Sequence, residues 1–405
     1  MTNEKKKTRR RHADDLRGAS RVVVEATKQV TGVVEGMHRT IASGPDVLGQ
    51  PLAVPARMLT GLVYGSIRGV THAVGVGIDA VLGQVAPLLG ESAPGPERAA
   101  VLAALNGVIG DYLRETGNPL AIDMRLCSAG APIEIEKGAL RVALPRANGK
   151  LLVLVHGSGM NDLEWNRGGH DHGAALARDL GYTPLYLRYN SGLHISTNGS
   201  AFAGLLDRLV VEWPGPIEQL VVVGHSMGGL VARSACHVGE IEQHAWRSKL
   251  TALVCMGSPH LGAPLERAGN WVDRLLGLSR YTAPLSRLGK LRSAGVTDLR
   301  HGSVLDEDWN DGRDRFARAE APRTRLQLPD GVRCFAIAAS LSKAPGKKLR
   351  GDGLVPVDSA LGRHKKPEMA LGFPEDHQWI GHGIGHLELL SRIEVYERMR
   401  SWLSS

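Results

Sequence analysis

The chain has 405 residues, long enough to bury a full hydrophobic core, and its apolar fraction of 43% and charged fraction of 22% are those of an ordinary globular protein. Half of its formal net charge of +8 lies in residues 1–20, where seven basic residues accompany three acidic ones. No nucleic-acid-binding module accompanies this charge, and every stretch of 18 residues contains polar or charged side chains, so neither nucleic-acid binding nor a membrane span is expected.

Two N-terminal regions precede the first predicted strand. Residues 1–18 form a charged tail, which we predict to be disordered, with weak contact to anionic lipid as the alternative. Residues 19–117 are rich in Val, Gly and Ala at helical spacing and predict a helical N-terminal segment, in which residues 100–113 present one apolar face. We favour packing of this segment on the following domain, and peripheral contact with a lipid surface is the other interpretation. Because no apolar stretch with a small-residue cleavage site follows the basic tail, we predict no signal peptide and expect a cytoplasmic protein.

Short apolar segments alternate with helical ones from about residue 118 to the end, and we assign residues 118–405 to one domain. Mostly apolar strands separated by helices indicate a mainly parallel sheet with helices on both faces, which is the α/β class. The predicted strands are residues 140–144, 151–155, 185–189, 220–223, 252–256, 332–338 and 379–380, and the predicted helices include 173–180 and 387–403.

Residues 261–329 interrupt this alternation, because they contain no clear strand. Their first part, 265–278, is amphipathic, with Trp271 and several leucines beside charged residues. A long insertion in a compact domain is usually functional or a subdomain. We therefore predict a helical cap, or lid, at about residues 261–330, over the catalytic face.

The strongest chemical signal is the sequence Gly-His-Ser-Met-Gly at residues 224–228, directly after the predicted strand 220–223. A serine hydroxyl is a poor nucleophile until a base removes its proton. A Gly-x-Ser-x-Gly sequence between a strand and a helix places the serine on a sharp turn, where small residues let the strained backbone pass its neighbours closely. We predict Ser226 as the nucleophile, and a chance serine in a structural turn is the alternative.

A second glycine-rich segment, His-Gly-Ser-Gly-Met at residues 156–160, follows the predicted strand 151–155. A nucleophile turn of this kind takes one oxyanion donor from the residue after the nucleophile and another from an earlier strand-to-helix loop. The candidate donors are the backbone N–H groups of Ser158 and Met227, which would stabilise a tetrahedral intermediate. A glycine-rich loop without a catalytic role is the alternative.

Two segments supply the candidate acid and base. Asp352 stands between two glycines after the predicted strand 332–338, with Glu375 and Asp376 as fallbacks. His386 directly precedes the predicted closing helix, so its backbone is held while its ring faces back, and His382 is its rival. The order Ser, Asp, His along the chain is the one that this strand–turn–helix nucleophile uses.

These segments together resemble the lipase-type carboxylesterases of the α/β-hydrolase superfamily. GSPHLGAPLER (257–267) is similar to the GTPHxG segment of bacterial lipases, and GDGLVPVDSA (351–360) and GHLELL (385–390) match the acid and base segments of that family. VHGSGMNDLEW (155–165) resembles a bacterial subgroup in which polyester-hydrolysing carboxylesterases are known. The resemblance covers roughly residues 118–403. It implies the α/β-hydrolase fold, with Ser226, Asp352 and His386 as triad and Ser158 and Met227 as oxyanion donors.

The expected function is hydrolysis of apolar carboxylic esters, polyesters among them, through an acyl-enzyme on Ser226 and without a metal or organic cofactor. An acyltransferase, a phospholipase or a thioesterase on the same triad is the enzymatic alternative, and a protein that binds a lipid or granule surface is the non-enzymatic one. A metal site at His170 and His172 is a weaker interpretation, because two histidines on a loop lack a further set of ligands. The four cysteines are far apart in sequence and are predicted to be buried free thiols. The expected partner is the ester substrate, and the oligomeric state is not predicted.

Overall fold

A computed structural model of the protein describes residues 95–263, 293–309, 326–343 and 351–404. The predicted tail at residues 1–18, the predicted N-terminal segment up to residue 94 and the amphipathic stretch 265–278 lie outside the described residues. The described residues from 102 onward belong to one compact unit, and residues 95–101 belong to a second.

An eight-stranded sheet runs through the larger unit. Its spatial order is β2-β1-β4-β3-β5-β6-β7-β8. The six strands β3 to β8 are parallel to one another, and β1 pairs antiparallel with β2 and with β4. In chain order the strands are β1 (Arg125–Ser128), β2 (Ala131–Pro132), β3 (Lys150–Val155), β4 (Thr183–Arg188), β5 (Gln219–His225), β6 (Leu250–Met256), β7 (Arg333–Ser340) and β8 (Gln378–His382). The mainly parallel sheet that the sequence predicts is therefore confirmed.

Helices cover both faces of this sheet. Successive strand residues point to opposite faces, and in β3 both Leu152 and its neighbour Val153 are fully buried. Leu152 belongs to the core cluster formed with α3 and α8, whereas α4 and α5 pack together and α5 contacts β3, β5 and β6 from the other face. In chain order the α-helices of the described residues are α1 (Pro96–Glu115), α2 (Lys137–Ala143), α3 (His172–Leu180), α4 (Ile195–Glu212), α5 (Met227–Ile241), α6 (Ala294–His301), α7 (Val357–Ala360) and α8 (Ile393–Leu403).

The prediction of a strand at residues 140–144 is wrong, because these residues belong to α2 and the position after it. Leu140 is the buried residue of this short helix, while Val142 is 83% exposed. Ala, Leu, Arg and Lys favour a helix where packing is weak, and one buried side chain leaves propensity to decide. The first two strands were not predicted, because β2 has two residues and β1 has four, of which Arg125 and Ser128 are polar.

The predicted closing helix at residues 387–403 is two elements. A 3₁₀ turn, His386–Leu390, precedes α8, and Ser391 and Arg392 separate them. In a continuous α-helix the carbonyl of Leu389 would accept the N–H of Ile393. Here that carbonyl accepts a hydrogen bond from Nε2 of His172 over 2.8 Å instead.

Two further sequence predictions concern cysteines and membranes. The four cysteines are buried free thiols, as the sequence predicts: Cys127, Cys236, Cys255 and Cys334. Within the described ranges, no helix combines the length and the apolar character that crossing a membrane requires.

Candidate active site

The candidate residues lie beyond the carboxyl ends of neighbouring parallel strands. The chain leaves β3 for β4 on one side and returns to place β5 on the other side of β3. Strand order reverses between β3 and β5, and ligands of open α/β sheets bind in the crevice at such a switch point. The loops that follow these two strands begin with His156 and Ser226.

Ser226 occupies a sharp turn between β5 and α5. Its backbone has φ 54° and ψ −121°, a left-handed conformation that non-glycine residues rarely adopt. Its N–H donates to the carbonyl of Met256 at the end of β6, which holds the turn against the sheet. Strain of this kind persists only where the surroundings enforce it, and it is common at functional sites.

Close packing explains the glycines of the turn. A Cβ added to Gly228 would lie 2.2 Å from the carbonyl oxygen of Val155, the last residue of β3. A Cβ added to Gly224 would lie 2.4 Å from the backbone nitrogen of Gly229. Both distances are too short for a side chain, so Gly228 lets the turn pass β3 and Gly224 lets β5 lie close to the start of α5.

The loop after β3 lies directly beside Ser226. A Cβ added to Gly157 would lie 3.1 Å from Cβ of Ser226. On one side of the loop, Gly159 N–H donates to Oγ of Ser191 over 2.8 Å. Within the described residues, the N–H groups of Ser158 and of Met227 have no hydrogen-bond acceptor. Two backbone donors in this neighbourhood are therefore open to a ligand.

Asp352 and His386 form a buried pair. Nδ1 of His386 lies 2.7 Å from Oδ2 of Asp352, and the two side chains are 3% and 1% exposed. The other carboxylate oxygen accepts the N–H groups of Leu354 and Val355 over 2.9 and 2.7 Å. Gly257, with φ +58°, leaves room for the pair, since a Cβ there would lie 3.2 Å from Cε1 of His386.

Three features agree with one fold: the sharp turn at Ser226, the order of the strands in the sheet, and the order Ser, Asp, His along the chain. The fold is that of an α/β-hydrolase. Ser226 follows β5, Asp352 follows β7 and His386 follows β8, all at one edge of the sheet. This placement matches the fold class that the sequence predicts.

The rival candidates for the acid and the base lie elsewhere. Glu375 and Asp376 are exposed in a 3₁₀ turn before β8, at the opposite edge of the sheet. His382 ends β8, and its Nδ1 is buried without a partner among the described residues. Of the histidines near the end of β8, His386 is the one bonded to Asp352.

Ser226 and His386 each keep one buried polar atom free of hydrogen bonds to described residues. These atoms are Oγ of Ser226 and Nε2 of His386. Because Nδ1 of His386 donates to the carboxylate, its Nε2 carries the lone pair in the neutral ring. The ring of His225, next to the nucleophile in sequence, lies 4.8 Å from the ring of His386 between centroids. The arrangement leaves a hydroxyl and an acceptor nitrogen available in one buried region.

Three aromatic side chains around the site were not assigned a role from the sequence. Nδ1 of His156 lies 2.8 Å from the carbonyl of Gly157, and the ring stacks on that of Tyr189. Burial lowers the pKa of His156 to about 4. Burial, reinforced by the charge of His386, holds the pKa of His225 well below its usual range. Both rings are therefore neutral near pH 7. No local pattern reveals these contacts, since the bond from His225 to His386 spans 161 positions.

His170 and His172, the two loop histidines that were considered as a metal site, form a hydrogen bond with each other. Nε2 of His170 lies 2.9 Å from Nδ1 of His172, whose Nε2 is used by the carbonyl of Leu389. Within the described part of the chain, no cluster of three or more His, Cys, Asp or Glu side chains could hold a metal ion.

Residues 293–309 fall within the segment that the sequence predicts as a cap, and one of them contacts the turn at Ser226. Gly295, at the start of α6, donates its N–H to the carbonyl of Gly192, and a Cβ there would lie 3.3 Å from Cε of Met227. The carboxylate of Asp298 accepts the first N–H of α4, from Ile195, over 2.8 Å. The start of α6 therefore lies beside Met227.

Comparisons with known proteins bear on the same fold. Residues 206–326, which include Ser226 and Met227, match a family described as PGAP1-like alpha/beta domain. No curated protein matches the chain. The assignment to the α/β-hydrolase fold rests on the sheet order and the Ser226 turn of this chain.

Several solved structures are similar in part. A lipase from Bacillus licheniformis in mature form is 16% identical, with a TM-score of 0.40, over 69% of this chain and 98% of that one. Lipase 1 from Pelosinus fermentans is 14% identical, with a TM-score of 0.38, over 64% of this chain and 99% of that one. Naproxen esterase from Bacillus subtilis is 14% identical, with a TM-score of 0.37, over 63% of this chain and 84% of that one.

Proposed function

We propose that this protein is a serine hydrolase that cleaves carboxylic esters through a covalent acyl-enzyme. The observation that carries the proposal is the buried pair of His386 and Asp352, 2.7 Å apart, at the sheet edge that presents Ser226. A base oriented by a carboxylate, next to a hydroxyl on a strained turn, is the arrangement that activates serine. The Ser226 backbone conformation supports the same function, because nothing in an ordinary strand-to-helix turn requires φ 54°.

In the first step, Nε2 of His386 takes the proton of Ser226 as Oγ attacks the ester carbonyl. Asp352 holds the ring in the required tautomer and stabilises its positive charge. The oxyanion of the tetrahedral intermediate accepts hydrogen bonds from the N–H groups of Ser158 and Met227, and the positive end of α5 adds to this stabilisation. Collapse of the intermediate transfers the proton from His386 to the leaving alcohol and leaves the acyl group on Oγ.

In the second step, His386 takes a proton from water, which attacks the acyl carbonyl through a second tetrahedral intermediate. Return of that proton to Oγ of Ser226 releases the carboxylic acid. Every proton in this cycle passes through one nitrogen of His386, so the sequence of steps requires that Nε2 is not occupied by a structural hydrogen bond. It has no partner among the described residues.

The proposed substrate is an ester with an apolar acyl chain. Met227 and the start of α6 line one side of the nucleophile turn with apolar or small groups. We propose polyesters as the more specific substrate class. This proposal rests on the resemblance of residues 155–165 to the bacterial subgroup in which polyester-hydrolysing carboxylesterases are known.

The test is hydrolysis of p-nitrophenyl esters from acetate to palmitate by the full chain, together with labelling by a fluorophosphonate. We expect activity and stoichiometric labelling, both abolished in Ser226→Ala. Ser248→Ala is the matched control, because Ser248 is exposed and its Oγ bonds the carbonyl of Ala245. Labelling that persists in Ser226→Ala would overturn the assignment of the nucleophile.

Two added conditions separate the alternative chemistries. Product that forms only when an alcohol is added would identify an acyltransferase. Faster turnover of acyl thioesters than of the matching oxygen esters would identify a thioesterase. A folded wild-type chain that is neither active nor labelled would contradict the serine hydrolase itself.

A further inference from the structure

His225, the residue before the proposed nucleophile, contacts the proposed base directly. It ends β5, and its side chain is fully buried. Its Nε2 lies 3.1 Å from the carbonyl oxygen of His386. A carbonyl can only accept, so Nε2 carries the proton and Nδ1 the lone pair. This fixes the tautomer of His225 as it stands in the structure.

The backbone of His386 is held at both of its polar groups. Its N–H donates to the carbonyl of Asp352 over 3.0 Å, and its carbonyl accepts from His225. Its side chain is held by the Asp352 carboxylate. Asp352 makes two of these three hydrogen bonds, and His225, which directly precedes Ser226 in the chain, makes the third. The bond from His225 is therefore the direct link between the nucleophile turn and the base.

This link matters because the nucleophile and the base make no hydrogen bond of their own in the structure. Oγ of Ser226 and Nε2 of His386 are both buried without described partners. Their alignment depends on how the two backbones are held relative to each other. A displacement of about 1 Å between reacting groups can lower a rate about 100-fold.

We infer that His225 is a positioning residue: its Nε2–H bond to the carbonyl of His386 sets the base against Ser226. The inference rests on the proposed function, since it assigns the device that aligns that triad. His225 takes no proton in the reaction. Its ring remains neutral, in keeping with a pKa held low by burial and by the charge of His386.

A matched pair of variants tests the inference. The amide nitrogen of Gln can stand as far along the side chain as Nε2 of His, whereas that of Asn is one carbon shorter and does not reach the His386 carbonyl. We expect His225→Gln to keep kcat within about five-fold of wild type and His225→Asn to lose about 10- to 100-fold, with KM changed less than about three-fold in both. Fluorophosphonate labelling rates of Ser226 should fall in the same order. Thermal unfolding of both variants reports any loss of the folded state.

Equal kcat and equal labelling rates in the Gln and Asn variants, both folded, would overturn the inference while leaving the proposed function intact. A wild-type chain that is neither active nor labelled would instead contradict the proposed function. A measurement on the wild type does not depend on the fold of any variant: nuclear magnetic resonance of ¹³C,¹⁵N-labelled protein, with the His225 ring assigned through bonds from its own backbone. A neutral ring with the proton on Nε2 is expected, and a proton on Nδ1 would overturn the inference.

Discussion

The ring of Tyr189 stacks on the ring of His156, with centroids 4.3 Å apart, and its hydroxyl donates to the His156 carbonyl over 2.8 Å. His156 in turn donates from Nδ1 to the carbonyl of Gly157. The carbonyl of Gly157 and the N–H of Ser158 belong to the same planar peptide, so a bond that holds one fixes the direction of the other. Tyr189 and His156 therefore hold the peptide that carries a proposed oxyanion donor.

Removing the hydroxyl oxygen of Tyr189 tests whether it holds the loop that contains His156. In Tyr189→Phe the His156 carbonyl loses a buried donor, so we expect kcat to fall about 10-fold, with KM nearly unchanged, and the free energy of unfolding to fall about 1–3 kcal/mol. Tyr182→Phe is the control, because the Tyr182 hydroxyl bonds Gln219 at the far end of the sheet. Equal kcat values in the two variants would contradict a role for Tyr189 in the loop.

The acid is tested by removing its charge without its shape. Asp352→Asn should lower kcat about 10³- to 10⁴-fold, because an amide can hold His386 in the wrong tautomer and cannot stabilise its positive charge. Asp376→Asn is the matched control, since that carboxylate is exposed at the opposite sheet edge. Steady-state kinetics on the preferred p-nitrophenyl ester provide the comparison. A larger loss in Asp376→Asn would transfer the role to the fallback residue.

The base is tested against its rival from the same segment. His386→Ala should abolish measurable turnover and slow fluorophosphonate labelling at least about 100-fold, because general-base catalysis is lost. His382→Ala should stay within about three-fold of wild type in both assays, since His382 makes no contact with Asp352 among the described residues. The reverse order of effects would assign the base to His382.

Packing of the nucleophile turn predicts opposite effects for two helical glycines. Gly228→Ala should lower the free energy of unfolding by about 1–3 kcal/mol, because its Cβ would lie 2.2 Å from the Val155 carbonyl. Gly204→Ala, on α4, meets no atom within 4 Å and should raise it by about 0.5–1 kcal/mol. Urea unfolding followed by circular dichroism measures both. A stabilised Gly228→Ala would mean that β3 and α5 can separate freely.

The pH dependence of stability follows from a buried neutral histidine. Burial lowers the pKa of His172 from 6.5 to about 4. As the pH falls below 6.5, His172 is protonated in the unfolded chain, but in the folded chain it stays neutral until about pH 4. The contribution of His172 to stability is therefore fully present above pH 6.5 and is lost as the pH falls from 6.5 to 4. The loss from this residue alone is about 3 kcal/mol.

His172→Gln isolates that contribution, because Gln can still donate to the Leu389 carbonyl but does not titrate. We expect the variant to lose less stability than wild type between pH 7 and pH 4, as measured by urea unfolding at several pH values. His156 and His225 act in the same direction and remain in both proteins, so they cancel in the difference. Parallel stability curves would contradict a buried neutral His172.

How far the sequence predicts this fold differs from element to element. Five of the apolar runs predicted as strands from residue 151 onward correspond to the parallel strands β3 to β7. Strands that are buried on both faces of a sheet are almost continuously apolar, and this makes them recognisable in the sequence. At the edge of the sheet this signal disappears, which is why β1 was missed. Residues 140–144 were assigned wrongly because they bury only Leu140, so helix propensity decides their structure. The predicted helix at residues 387–403 is too long, because a hydrogen bond from His172 to the Leu389 carbonyl interrupts it. His172 is 217 positions away, so the local sequence gives no sign of this bond.

The sequence by itself identified the candidate segments of the proposed site: the glycine-bounded Ser226, the glycine-bounded Asp352 and the histidine-rich stretch that contains His386. Local sequence is sufficient there, because a strained strand-to-helix turn admits few residues besides glycine around the serine. Only the tertiary structure decided that His386 rather than His382 reaches Asp352, and that His225 and Tyr189 brace the surrounding loops. Those choices depend on distances between the ends of separate strands, which the order of the strands in the sheet sets and no single segment encodes.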